Sequence, residues 1–215
     1  LGSRIVEYAL LALSGPSNIE KKVRELQSSL HRQGGLASAR ALPVLIPLCF
    51  VEPGVIPAKR GDLRDRLRRS VGREAPYLTT GSIAECGGFL FWDLAPRRQL
   101  QRLRRSCGEA FTPADEQHAS QREARQLDLL PVARGFLLCS LQGRSRDTIP
   151  SLMVSEPLRF PARTAFLLQI HPLDVEPGRA GPQQGAYATE GRLWWKSFFW
   201  EKLEEIPLRK SGSTG

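Results

Sequence analysis

The sequence predicts an α+β fold of two lobes, with pseudo-duplicated β-α-β halves and antiparallel sheets around a central cleft. Three observations carry this. A strand-like apolar run, a helix with one apolar stripe and a second apolar run succeed each other in Ile5–Val51 and again in Gly88–Leu141. A glycine-punctuated hairpin joins the two halves. A second pair of apolar segments, Ala165–Leu173 and Ala186–Trp195, closes the chain as another hairpin with a long Pro/Gly-rich turn.

Each element has a local reason. Ile5–Leu13 has strand composition, and its Glu7 and Tyr8 and the lack of a basic leader set it apart from a signal peptide. Ser17 and Glu20 have capping-box spacing after Pro16, and Ile19, Val23, Leu26 and Leu30 lay one stripe down a helix that Gly34-Gly35 stops. Pro43 and Pro47 punctuate Ala41–Val51, so this strand is expected at a sheet edge or at a bulge. A basic helix with Leu63, Leu67 and Val71 inside follows, then Tyr77–Ala84 and Gly88–Leu94 as a hairpin around Glu85-Cys86-Gly87. Pro96 opens a helix with the stripe Leu100, Leu103, Cys107 and Phe111. Thr112–Leu127 reads as a polar loop, and Gly135–Leu141 as a strand. Pro16 and Pro96 lie 80 positions apart and Pro43 and Pro131 lie 88 apart, which agrees with a repeat in outline.

Composition bounds the function. The 215 residues are 41% hydrophobic and 25% charged, as expected of a single two-lobed domain over 1–210 with a flexible tail at 211–215. No apolar run approaches the roughly 20 residues of a membrane span. Cys49, Cys86, Cys107 and Cys139 are far apart and show no metal-ligand spacing, so buried thiols, no metal, no cofactor and a cytoplasmic location are expected. Basic residues number 31 against 22 acidic, a net charge of +9, and 25 of the 31 are arginine. Arginine's planar fork suits phosphate. Lys59–Arg73 and Arg97–Arg105 concentrate the charge, which makes Arg64, Arg68, Arg98, Arg102 and Arg105 candidates for a nucleic-acid surface. Asp62, Asp65 and Asp93, isolated or paired among arginines, read as surface ion pairs.

The order of elements, with Arg4–Leu13 opening the first lobe, the phrase Leu42-Pro43-Val44-Leu45-Ile46-Pro47-Leu48, the Gly81–Leu94 hairpin, the helix to Phe111, and Phe166–Leu173 with Gly185-Ala186-Tyr187, resembles the 2H phosphoesterase superfamily. That superfamily includes the 2′-5′ RNA ligase-like proteins and cyclic nucleotide phosphodiesterases. The resemblance spans roughly Arg4 to Ser197. It implies two His-x-Thr/Ser motifs, one per half, whose imidazoles act as acid and base on a phosphodiester. Both motifs are degenerate here: Leu45 and Pro47 occupy the first, and Val132–Phe136 holds no His, Ser or Thr at the second.

The remaining candidates follow from that departure. His118-Ala119-Ser120 matches His-x-Ser inside a polar run, and His171 precedes Pro172 at a strand end, so these two are the candidate catalytic histidines, with Tyr187 as an accessory group. His31 lies near a helix terminus, where its electrostatics are favourable. Arg40 precedes the first degenerate strand, and Arg134, Arg144 and Arg146 flank the second, so arginines are expected to contact phosphate where histidines are missing. The expected function is binding of RNA or a phosphorylated nucleotide without two-histidine catalysis. The alternatives are a diverged phosphodiesterase with a rearranged site, and a protein-interaction module built on the aromatic cluster Trp194–Trp200, whose simplest role is to cap the core.

Overall fold

The computed structural model describes residues 8–51, 53–72, 75–111, 133–141, 145–149, 156–172 and 198–208. The chain runs β1 (Tyr8–Leu13), α1 (Ser17–Gly34), α2 (Ala37–Ala41), β2 (Ile46–Val51), α3 (Arg60–Val71), β3 (Tyr77–Cys86), β4 (Phe89–Ala95), α4 (Arg97–Phe111), β5 (Gly135–Ser140), β6 (Arg159–Pro161), β7 (Thr164–Pro172) and β8 (Phe198–Pro207).

Helix α1 has the predicted ends, but its first turn is built differently. The Pro16 carbonyl accepts from the N–H groups of Ile19 and Glu20 at 2.9 and 3.0 Å, so Ser17 already lies within the first turn and the Ser17–Glu20 capping box is not made. At the other end Gly35 takes a left-handed φ of 62° and donates to the His31 carbonyl, which ends the helix as glycine can without strain. Ile19, Val23 and Leu30 are buried as the stripe requires. Gln27 is buried with them because its side-chain amide donates to the Leu137 carbonyl at 3.3 Å and to the Leu42 carbonyl at 3.5 Å.

Two four-stranded antiparallel sheets follow one plan. Their strand orders are β2-β1-β7-β8 and β5-β4-β3-β6. In each, the second strand of a β-α-β half lies at an edge beside the first strand of that half. This is the pseudo-duplication read from the sequence. β2 is both an edge strand and bulged, with its register against β1 shifting between Leu11 and Ala12, as its prolines lead one to expect. The β3–β4 turn uses Gly87 and Gly88 at φ 56° and 77°.

The closing strand lies elsewhere than predicted. Strand β7 pairs with β8, from Thr164↔Pro207 to Pro172↔Phe198, and Ala186–Trp195 falls outside the described residues. The aromatic cluster hid a strand at its own C-terminal end, because Phe199-Trp200-Glu201-Lys202-Leu203-Glu204 carries charge on both faces. One of those charges, Glu204, is buried.

The two sheets meet where β2 approaches β5. Leu137 N–H donates to the Leu45 carbonyl at 3.1 Å, and Ala133 N–H donates to the carbonyl of Pro47 at 2.7 Å. Helices α1 and α2 cover the outer face of β5, where Ser38 Oγ and Ser140 exchange two hydrogen bonds of 3.0 and 3.1 Å. Helix α4 packs chiefly on β2, and α3 packs beside α4 and against β7 and β8. The outer faces and the helices share the larger core, which includes Leu11, Ile46, Leu67, Trp92, Leu100 and Phe136.

Candidate functional site

The two sheets turn apolar inner faces toward each other. Along β1, Ala9, Leu11 and Leu13 point to the helices, so Leu10 and Ala12 point to the inner face, as the two-residue period of a strand demands. Opposite them stand Phe50 and Pro47 of β2 and Leu168 and Phe166 of β7. On the second sheet the same alternation turns Phe89 and Phe91 of β4 and Leu137 of β5 inward. These inner faces meet in a second cluster in which Leu10, Ala12, Leu42, Leu45, Leu137 and Phe91 are each no more than 4% exposed. Leu45 is 1% exposed within it. A leucine among leucines and phenylalanines cannot transfer a proton.

Polar groups flank this cluster. Asp93 of β4 is buried and receives two arginines: Arg134 Nε donates to Oδ1 at 2.8 Å, and an Arg97 terminal nitrogen donates to Oδ2 at 2.6 Å. The Asp93 hydrogen bond raises the Arg134 pKa above the usual arginine value, although partial burial opposes it. Asp93 is therefore a buried double acceptor, not the surface ion pair that its sequence neighbours suggest. On β8, Lys202 pairs with Glu205, and its ammonium lies 5.5 Å from the Phe166 ring centroid.

The predicted phosphate ligands part company. Arg134 is engaged by Asp93, and Arg146 donates to the Ile149 carbonyl at 3.4 Å. Arg40 is exposed on α2, and Arg144 lies outside the described residues. His118 and Tyr187 also lie outside them, and His171 is described only as a residue of β7. Of the aromatic cluster, Trp200 is 41% exposed on β8, so it does not cap the core.

The outer arginines divide by helix face. Arg60 and Arg64 of α3 reach Glu204 of β8 at 2.7 and 3.5 Å, while Arg66 lies over the Phe111 ring of α4 at 5.8 Å. The Arg60 hydrogen bond holds the Glu204 carboxyl below the ordinary glutamate range, although burial opposes this. Arg68 pairs with Asp65 at 3.7 Å. On α4, Arg98, Arg102 and Arg105 recur at steps of four and three on the exposed face, and none has a carboxylate partner among the described residues.

Sequence reasoning missed Glu204 and Gln27 and placed the Asp93 ion pair at the surface; all three are buried by partners more than 35 residues away or on another element. The four cysteines are free thiols, three buried and Cys86 half-buried, and burial pushes Cys139 up to about 12. Among the described residues no group of three His, Cys, Asp or Glu side chains could hold a metal ion, and no helix is long and apolar enough to cross a membrane.

Solved structures share this architecture. TT0787 of Thermus thermophilus superimposes with a TM-score of 0.58 at 16% identity, over 95% of this chain and 99% of that one. LigT of E. coli in its apo form gives 0.53 at 11% identity, over 95% and 98% of the two chains. The chain has the LigT fold. A third structure, described as a phosphoesterase, gives 0.50 at 11% identity over 95% and 99%. No protein-family model matches the sequence, and no curated protein does. At these identities the likeness is one of fold, and it bears out the two-lobed α+β architecture that the 2H resemblance implies. Within the LigT fold, the inner faces of this chain carry the apolar cluster described above.

Proposed function

We propose that this LigT-fold chain binds single-stranded RNA, or a phosphorylated ligand of nucleotide type, on its outer arginine surface and without two-histidine catalysis. The observation that carries the reading is the α4 stripe. Arg98, Arg102 and Arg105 are exposed, lie on one helix face and lack carboxylate partners among the described residues, whereas most other arginines on the two basic helices are engaged. Three unneutralised guanidinium groups in a row raise the local potential and match the spacing freedom of a flexible phosphate backbone. On the neighbouring α3, Arg64 shares the buried Glu204 with Arg60 and Arg68 pairs with the exposed Asp65, so these two are already partly neutralised. The apolar packing around Leu45 supports the non-catalytic half of the reading, since Leu45, aligned by the resemblance with the first histidine, cannot act as acid or base.

The test is anisotropy of a labelled single-stranded RNA over a salt series. Binding should weaken steeply with salt, with a log–log slope of about −0.7 per phosphate contact. The triple variant Arg98→Gln, Arg102→Gln, Arg105→Gln should bind at least about tenfold more weakly and lose about 2 units of that slope. An unchanged affinity in the variant, or no binding at low salt, overturns the assignment.

A further inference from the structure

Helix α1 carries a second set of cations that the RNA reading does not use. Lys21, Arg24, Ser28 and Arg32 recur at steps of three, four and four, which stacks them on one face of the helix. Opposite that face stands α2 with Arg40. Together they line a groove of about 740 Å³, within the range of small-molecule sites. It holds four cationic side chains and one carboxylate, Glu25, a formal charge of 4 − 1 = +3. None of the four cations makes an ion pair among the described residues, and Arg24 only opposes the burial that raises the Glu20 pKa. Lys21 and Arg24, three positions apart, repel each other, and a bound anion would relieve that repulsion.

A solvated basic face would account for the charge but not for the histidine. His31 lines the same groove, and its Nδ1 is buried with no hydrogen-bond partner. A ring nitrogen left unpaired is costly, and His31 gains a partner when its imidazole turns to present Nδ1 to an oxygen of a ligand in the groove that the residue lines. Among the described residues no Phe, Tyr or Trp lines the groove, so it has none of the larger aromatic platforms for a nucleobase.

We infer that the α1–α2 groove is a binding site for a small polyphosphorylated anion of the pyrophosphate class, with Arg24, Arg32 and Arg40 on its phosphoryl oxygens and the His31 imidazole, once turned toward the groove, as a further hydrogen-bonding group. Lys21 adds charge at the entrance, and recognition is through the phosphoryl groups alone. This site is separate from the α4 stripe, and its occupancy does not require RNA binding.

Calorimetric titration of the full chain with inorganic pyrophosphate tests this. Saturable binding with one site is expected. The double variant Arg24→Gln, Arg40→Gln should weaken it at least about tenfold, while the α4 triple variant should leave it unchanged. His31→Ala should weaken it as well, and the imidazole nitrogen resonances of His31 should move on titration of the wild-type chain. Thermal unfolding of each variant checks that it is folded, and Arg32→Gln, an exposed change, stands in for any that is not. ADP should bind no more tightly than pyrophosphate, because the three arginines and His31 are engaged by phosphoryl oxygens and no larger aromatic side chain lines the groove among the described residues; a nucleoside preference would reassign the ligand class and overturn the inference. Absence of saturable binding, retention of affinity in the α1–α2 variants, or equal loss in the α4 variant would overturn it too. RNA anisotropy on the same proteins separates the two readings, since the α1–α2 variants should keep their RNA affinity.

Discussion

Arg134 Nε donates to Asp93 Oδ1 at 2.8 Å, an ion pair between residues 41 positions apart that ties the start of β5 to β4. Its register partner explains the contact: Asp93 lies opposite Gly135, so the side chain of the residue just before the strand swings over the carboxylate. Asp93→Asn should lower stability by about 1–3 kcal/mol, because it weakens the hydrogen bonds of one half-buried and one exposed guanidinium. Arg97→Gln should cost less than about 1 kcal/mol, since that side chain is 56% exposed. Urea unfolding of the two variants measures both, and equal losses would refute the ranking.

Glu204 makes stability depend on pH. Its folded pKa is depressed, first by the Arg60 hydrogen bond, so the unfolded chain binds its proton more tightly than the folded one does. The stabilisation is therefore full above about 4.3, the ordinary glutamate value, and is lost as pH falls through the lower folded value. Thermal midpoints of the wild type should fall on acidification from about pH 5 to about pH 3. In Glu204→Gln the neutral-pH midpoint should be lower and the acid slope shallower, and identical slopes would remove Glu204 from the account.

Gly135 has no room for a side chain. A Cβ there would stand 2.1 Å from the Trp92 carbonyl oxygen and 2.9 Å from Asp93 Cα, and both are backbone atoms of the central strand β4. Gly135→Ala should destabilise by more than about 3 kcal/mol or prevent folding. Gly108→Ala, on α4 with nothing within 4 Å of the added carbon, should stabilise by about 0.5–1 kcal/mol. Chemical denaturation of the pair tests the contrast, and a tolerated Gly135→Ala would mean that β4 and β5 do not approach so closely.

The sequence was most legible where a local rule acts alone. Pro16 and Gly35 bound α1, Gly87-Gly88 turns the β3–β4 hairpin, and Pro47 consigns β2 to an edge, each through its own backbone chemistry. Helix α2 has five residues and β6 three, too few to show a period. Strand β8 was lost because Glu204 looks like a surface residue until Arg60 and Arg64 arrive from α3. For the candidate sites the same division holds. The α4 stripe is visible as a helical repeat of arginines, but the α1–α2 groove depends on an unforeseen helix. Arg134 looked free because Asp93 is its neighbour only across the β4–β5 ladder.

Strand β1 lies between β2 and β7, and Leu13 finds its β7 partner in Ala165. During synthesis β1 leaves the ribosome well before β7, so one of its two hydrogen-bonding edges stays open until about 150 further residues have emerged. Through that interval Leu10, Leu11 and Leu13 have no complete sheet to join, and pairing so distant in sequence slows the search for it. The nascent chain should therefore be a better client for chaperones than the folded one, in which β1 is sealed on both sides.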